Sequence, residues 1–172
     1  MTNKRYTHVY TGNGKGKTTA SIGLAIRAFG AGLKVYIGQF VKSQSYNEFK
    51  ILKENLGIDI ELLGSGCFIF SHPSEDDKKA AQEGFAKIKK IIHSGKYDLV
   101  ILDELNIALY FKLIELSEVV DLIKNKPDNI ELAITGRYAP EEILEAADLV
   151  TEMKEVKHYY QQGIQARDGI ER

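Results

Sequence analysis

Apolar residues along this chain fall into short runs that alternate with longer amphipathic stretches. Thr7-His8-Val9-Tyr10 reads as a first strand, and Ala20-Ser21-Ile22-Gly23-Leu24-Ala25-Ile26 opens a helical pattern expected to stop at Gly30-Ala31-Gly32, where glycine supplies a positive φ. Residues 33–40 form a second, mostly apolar strand suited to a buried parallel position. A polar loop at 42–46 precedes a short helix at 48–56 ended by Gly57, and Ile58-Asp59-Ile60-Glu61-Leu62-Leu63 alternates like a third strand. Residues 64–73 are irregular. Residues 75–94 then read as a long amphipathic helix with Ser74 as its N-cap and Gly95 just past its end. Residues 97–104 are a buried strand ending in Asp103 and Glu104, followed by helical segments near 105–111 and 115–124. A strand at 131–135 leads to Gly136-Arg137. Pro140 starts a helix in its first turn, and 148–153 is the last strand. The tail 157–164 lacks helical periodicity and is expected to cross the sheet edge.

Strands alternating with helices this regularly predict an α/β fold with a parallel sheet covered on both faces, and no repeat or linker divides residues 1–172, so one nucleotide-binding domain is expected. In such sheets ligands bind beyond the carboxyl ends of the strands. Residues 12–18, Phe68 and Phe70, the acids at 103–104 and Arg137 all follow strands and should converge on one edge.

Between the first strand and first helix lies Gly12-Asn13-Gly14-Lys15-Gly16-Lys17-Thr18-Thr19. Strand, glycine-rich loop and helix N-terminus together make a phosphate-binding loop. Glycines let backbone N–H groups turn inward, the helix end adds partial positive charge, Lys17 reaches phosphate oxygens and the Thr18 hydroxyl suits Mg²⁺. The general pattern wants glycine where Thr11 stands; Gly12 opens the loop one residue late, so it is shorter by one. The expected architecture is that of the P-loop NTPases, RecA-like.

Composition narrows the partners. The net charge of −1 argues against a broad nucleic-acid-binding face. Cys67 is the only cysteine, so an intrachain disulfide and a Cys₄ zinc site are both impossible. No apolar run is long enough to span a membrane, and the chain reads as cytoplasmic. The histidines 8, 72, 93 and 158 show no helical metal spacing.

Asp103 and Glu104 stand where acids reach the Mg²⁺ of a phosphate-loop protein, directly or through water; capping the next helix is the other role such acids take. Phe68 and Phe70 alternate around Ile69 in a glycine-flanked loop, either packing the core or forming an apolar wall against a large flat ligand. Cys67 reads as a small apolar filler.

These motifs, taken in order, resemble the phosphate-loop type of ATP:corrinoid adenosyltransferase. The resemblance runs over nearly the whole chain. It includes the shortened loop, Gln39-Phe40, Leu102-Asp103-Glu104-Leu105, Thr135-Gly136-Arg137, Ala147-Asp148-Leu149-Val150-Thr151-Glu152-Met153, Lys157-His158 and Gly169-Ile170-Glu171. It implies that a four-coordinate Co(I) corrinoid (cobalamin, cobinamide or cobyrinic acid diamide) attacks the 5′ carbon of ATP and the whole triphosphate leaves. It also implies ATP bound in reversed orientation, Mg²⁺ at the loop, a homodimer and an electron donor such as a flavoprotein. In the family a Phe-x-Trp loop displaces the lower axial ligand of cobalt. The matching positions here are Phe68 and Phe70, with phenylalanine at the second, and Ser43 stands where the family has glycine. A kinase of the thymidine-kinase type is the alternative enzyme, but its zinc-bearing lasso needs four cysteines. A non-catalytic corrinoid carrier or sensor is the alternative of another class.

Overall fold

The computed structural model describes residues 4–41, 47–64 and 73–171. Along them run β1 (Thr7–Thr11), α1 (Lys17–Gly30), β2 (Val35–Gln39), α2 (Asn47–Leu56), β3 (Asp59–Leu62), α3 (Glu75–Ile92), β4 (Leu99–Asp103), α4 (Leu105–Tyr110), α5 (Leu116–Asn125), β5 (Glu131–Thr135), α6 (Glu141–Ala146) and β6 (Leu149–Glu152). Helix ends follow local chemistry. The Ser74 hydroxyl accepts from the Asp77 N–H while the Asp77 carboxylate accepts from the Ser74 N–H, a capping box that ties down the start of α3. Pro140 differs from expectation by one position: it is the N-cap of α6, with an extended ψ of 150°, and its carbonyl accepts from Ile143 and Leu144.

The strands form one sheet in the order β3-β2-β4-β5-β1-β6, every pair parallel. β4, near the middle, is buried along its whole length. Its alternate side chains serve two separate cores. Leu99 and Ile101 pack with Ala25 and Ala28 of α1 and Phe49 and Leu52 of α2. Val100 and Leu102 pack with Phe85, Ile88 and Ile92 of α3 and Leu122 and Ile123 of α5. A parallel strand covered on both faces must be apolar on both, which is why β4 reads as a continuous apolar run rather than an alternating one. β3 sits at the edge, and there Leu62 stays 42% exposed.

Register then lines up the carboxyl ends. Gln39 of β2 lies opposite Asp103 of β4, and Tyr10 of β1 lies opposite Thr135 of β5. β5 therefore stands between the strand that feeds the glycine-rich loop and the strand that carries the acids.

Candidate functional site

Three apolar strands end in polar side chains that are wholly buried: Gln39, Asp103 and Thr135. Their burial is explained by one another. One oxygen of Asp103 accepts from the Thr18 hydroxyl at 2.9 Å and from the Thr135 hydroxyl at 2.7 Å, and the other accepts from Gln39 Nε2 at 3.0 Å. A buried carboxylate is tolerable when donors surround it in this way. The Thr135 hydroxyl in turn accepts from the Glu104 N–H at 3.0 Å. Asp103 thus ties the first turn of α1 to the sheet, fixing where the Thr18 hydroxyl sits. Glu104 turns out of the strand at φ 60° to become the N-cap of α4, and it lines the cleft that Asp103 only underlies.

The glycine-rich loop is shaped by the far edge of the sheet. The Gly14 N–H donates to the Met153 carbonyl at 2.6 Å, and a Cβ on Gly12 or Gly14 would lie 2.5 or 2.6 Å from that same oxygen. A side chain on either of the first two glycines would therefore collide with the backbone just past β6, a constraint that the motif alone does not show. Gly16 differs: its φ is 116°, and a Cβ there would meet only the Met153 sulfur at 3.8 Å. It caps α1, whose first N–H groups are left without intrahelical partners at this point.

Lys17 is buried, and its ammonium donates to the Gly12 and Gly14 carbonyls at 2.8 and 2.7 Å. Burial pushes its pKa below the usual lysine range and the Arg137 charge adds to that, while Glu104 and Asp103 oppose it. Lys15 points elsewhere. Its ammonium donates to the Ile170 carbonyl and to Glu171, each at 2.9 Å, and lies 3.4 Å from the Tyr159 hydroxyl. The tail thus folds back onto the loop, with a 3-10 turn at Tyr159–Gln162 on the way. Arg167 and Tyr159 also bond Glu171 and, with Lys15, hold its carboxyl below the usual range.

These parts surround one cleft of about 910 Å³. Residues 14–19, Glu104 and Arg137 form its charged side; Ile107, Tyr110, Phe111 and Tyr138 form an apolar side; His158 and residues 169–171 close it from the tail. Gly12 and Asn13 do not line it. Among the described residues four non-glycines have positive φ, and three of them, Val41, Glu104 and Tyr138, line this cleft. Such conformations cost about 1–3 kcal/mol each and gather where function demands a particular placement.

Of the residues singled out from sequence, Gly14, Lys15, Gly16, Lys17, Thr18, Thr19, Glu104 and Arg137 do meet in this cleft. Phe68, Phe70 and Ser43 lie outside the described residues. Sequence reasoning gave no role to Gln39 and Thr135, although a polar side chain ending an apolar strand is a usable signal. It gave no role to Tyr159, or to Glu171, which entered only as part of the Gly169-Ile170-Glu171 motif of the resemblance.

Comparison with solved structures finds the fold in the EssC protein (ATPases 2 and 3) of Geobacillus thermodenitrificans, with a TM-score of 0.51 at 12% identity over 96% of this chain and 35% of that one. The likeness is to an α/β nucleotide-hydrolase architecture, in keeping with the P-loop NTPase-like fold expected from the sequence. Among curated proteins, the chain is 37% identical over 163 residues to the corrinoid adenosyltransferase of Escherichia coli K12, covering 95% of this chain and 83% of that one. It is 35% identical over 163 residues to the corrinoid adenosyltransferase CobA of Salmonella typhimurium, with the same coverage of both chains. The corrinoid adenosyltransferase of a Sinorhizobium species is 36% identical over 167 residues, 95% of this chain and 78% of that one. A family model described as ATP:corrinoid adenosyltransferase BtuR/CobO/CobP matches residues 3–172, and the chain belongs to that family.

Proposed function

We propose that the chain transfers the 5′-deoxyadenosyl group of ATP to the Co(I) centre of a corrinoid, releasing triphosphate, as a step in adenosylcobalamin synthesis or salvage. The observation that carries this is the family match over residues 3–172. In the reaction the cobalt electron pair forms a bond to the ribose 5′ carbon, the bond from that carbon to the phosphate oxygen breaks, and the triphosphate departs with the electrons. No side chain has to remove a proton, so the work of the protein is to stabilise charge on the leaving group. Lys17 is suited to that, as is the N-terminus of α1.

Mg²⁺ fits the donor set. The Thr18 hydroxyl donates a hydrogen bond to Asp103, which leaves its oxygen lone pairs able to face a cation, and Glu104 lines the same cleft. The described residues contain no cluster of three or more His, Cys, Asp or Glu side chains able to hold a metal. The ion would rest on Thr18 and Glu104 together with phosphate and water, the oxygen-rich and sparsely protein-bound habit of Mg²⁺. When bound it neutralises charge on the triphosphate. Asp103 acts behind it by fixing Thr18. The enzyme is further proposed to work in the cytoplasm as a homodimer with a separate flavoprotein-type electron donor. No helix among the described residues is long and apolar enough to cross a membrane.

With ATP, Mg²⁺ and chemically reduced cobalamin, the products should be adenosylcobalamin and tripolyphosphate. ADP would indicate a kinase, and no product with retained corrinoid would indicate a carrier. Glu104→Gln keeps the shape and removes the charge. It should shift the Mg²⁺ activation curve to concentrations higher by about tenfold, the scale of one lost charged ligand. Corrinoid binding should be little changed. An Mg²⁺ curve superimposable on that of the parent enzyme would exclude Glu104 as a ligand.

A further inference from the structure

Lys15 belongs to the phosphate loop by sequence, yet its ammonium is engaged by the tail, through Glu171 and the Ile170 carbonyl. Glu171 is also held from within the tail. Its carboxylate accepts from the Arg167 backbone N–H at 2.8 Å, from the Arg167 guanidinium at 3.2 and 3.3 Å, and from the Tyr159 hydroxyl. The guanidinium lies over the Tyr159 ring, 5.0 Å from its centroid. An isolated surface ion pair contributes little, but a carboxylate shared among several charged and neutral donors is fixed in place. The Glu171 side chain is accordingly 15% exposed, against 43% for Lys15 and 52% for Arg167.

The same tail has a second attachment. The Asn47 amide, at the first residue of α2, donates to the Asp168 carboxylate at 2.8 Å. Lys15 follows β1 and Asn47 follows β2, strands that stand three places apart in the sheet. Lys15 and Asn47 both line the cleft, as do residues 169–171. Residues 168–171 therefore bridge two of its walls. His158, which also lines the cleft, is set by the same network: it precedes Tyr159, and its Nδ1 accepts from the Tyr160 N–H at 3.0 Å. A carboxylate beside a phosphate loop repels a triphosphate. Glu171 is a poor choice for that position unless what it does for the tail outweighs the repulsion.

We propose that Lys15 and Glu171 are positioning residues, a pair that hangs the tail across the cleft as a strap over bound nucleotide. Lys15 then acts on ATP through Glu171 and not by gripping phosphate. This rests on the reading of the cleft as the ATP site of an adenosyltransferase. The strap deepens that reading by giving the two charges at 15 and 171 a task in retaining the nucleotide.

The test is equilibrium dialysis of Mg-ATP against the full chain, with tryptic cleavage after Arg167 as a second readout. Glu171→Gln removes a negative charge from beside the triphosphate, so electrostatics alone would tighten binding. The strap requires the reverse sign, a Kd for Mg-ATP higher by about fivefold or more. Lys15→Met should weaken binding to a similar extent. The double variant should stay within about twofold of the weaker single one, because two residues that act through one contact do not add. Both single variants should melt within about 3 °C of the parent without nucleotide, the scale of a surface network. Mg-ATP should slow cleavage after Arg167 in the parent and lose that effect in either variant. Tighter ATP binding by Glu171→Gln, or faster cleavage of the parent when Mg-ATP is added, would overturn the strap and make Glu171 a stand-in for phosphate that the nucleotide displaces. Unchanged affinity in Glu171→Gln, or fully additive losses in the double variant, would overturn it too. A parent chain that binds no Mg-ATP would defeat the reading of the cleft itself, a result seen before any variant is made.

Discussion

Lys17→Ala should lose at least about a hundredfold in turnover while the far-ultraviolet circular dichroism keeps its shape, since removing one donor from a preorganised charge-stabilising site costs roughly 3–4 kcal/mol. The residue sits in the first turn of α1, buried, with its ammonium on the carbonyls of Gly12 and Gly14. Those carbonyls are poor final partners for a cation whose charged form is already disfavoured by burial and by Arg137. A triphosphate would offer a far stronger one, and on the proposed reaction Lys17 would meet the charge it accumulates on leaving. The same change should weaken inhibition by tripolyphosphate, which has no adenosine and reports the phosphate site alone. Turnover within about threefold of the parent, only ~0.6 kcal/mol, would remove Lys17 from the mechanism.

The largest effect on stability is expected from Gly12→Ala. Its Cβ would lie 2.5 Å from the Met153 carbonyl oxygen and 2.9 Å from the Met153 nitrogen, at a backbone φ of 93°. Neither obstacle is the end of a flexible side chain, so the loop and β6 must part. Overpacking of about 1–3 kcal/mol and left-handed strain of about 1–2 kcal/mol sum to roughly 3 kcal/mol. For a chain of this size that lowers the melting temperature by about 6–12 °C. Gly23→Ala is the contrasting change. Gly23 lies inside α1 with nothing within 4 Å of a built Cβ, so alanine there should stabilise by about 0.5–1 kcal/mol. Equal melting temperatures for the two variants would mean that β6 does not shape the loop.

How far the site can be read from sequence depends on how far apart its partners lie. Lys17, Thr18, Asp103 and Glu104 are legible because each is placed by its own short stretch, a loop opening a helix or an apolar strand running out. The strands of the two-faced sheet are legible for the same reason: an unbroken apolar run such as residues 99–102 has few other uses. The close approach of the Met153 carbonyl to Gly12 and Gly14 is not, since that oxygen lies about 140 residues further along the chain. Nor is Lys15, which the motif aims at phosphate but whose partner Glu171 lies 156 residues away. The Tyr110–Tyr138 pair is equally silent, because two tyrosines on different elements look like ordinary surface until the turn after β5 brings them together.

The position of β1 has a consequence for how the molecule is assembled during synthesis. Among the described strands, the first in chain order pairs only with β5 and β6, the last two in chain order. The glycine-rich loop that follows β1 takes its shape from Met153, beyond the end of β6. The glycine-rich segment, made before β5 and β6, should therefore stay unformed until they are available. ATP has no site to bind until almost the entire sheet is in place. Nascent chains arrested anywhere before residue 149 should accordingly gain no protease resistance from ATP, with ligand protection arriving late and in one step as β6 closes against the strand that was made first.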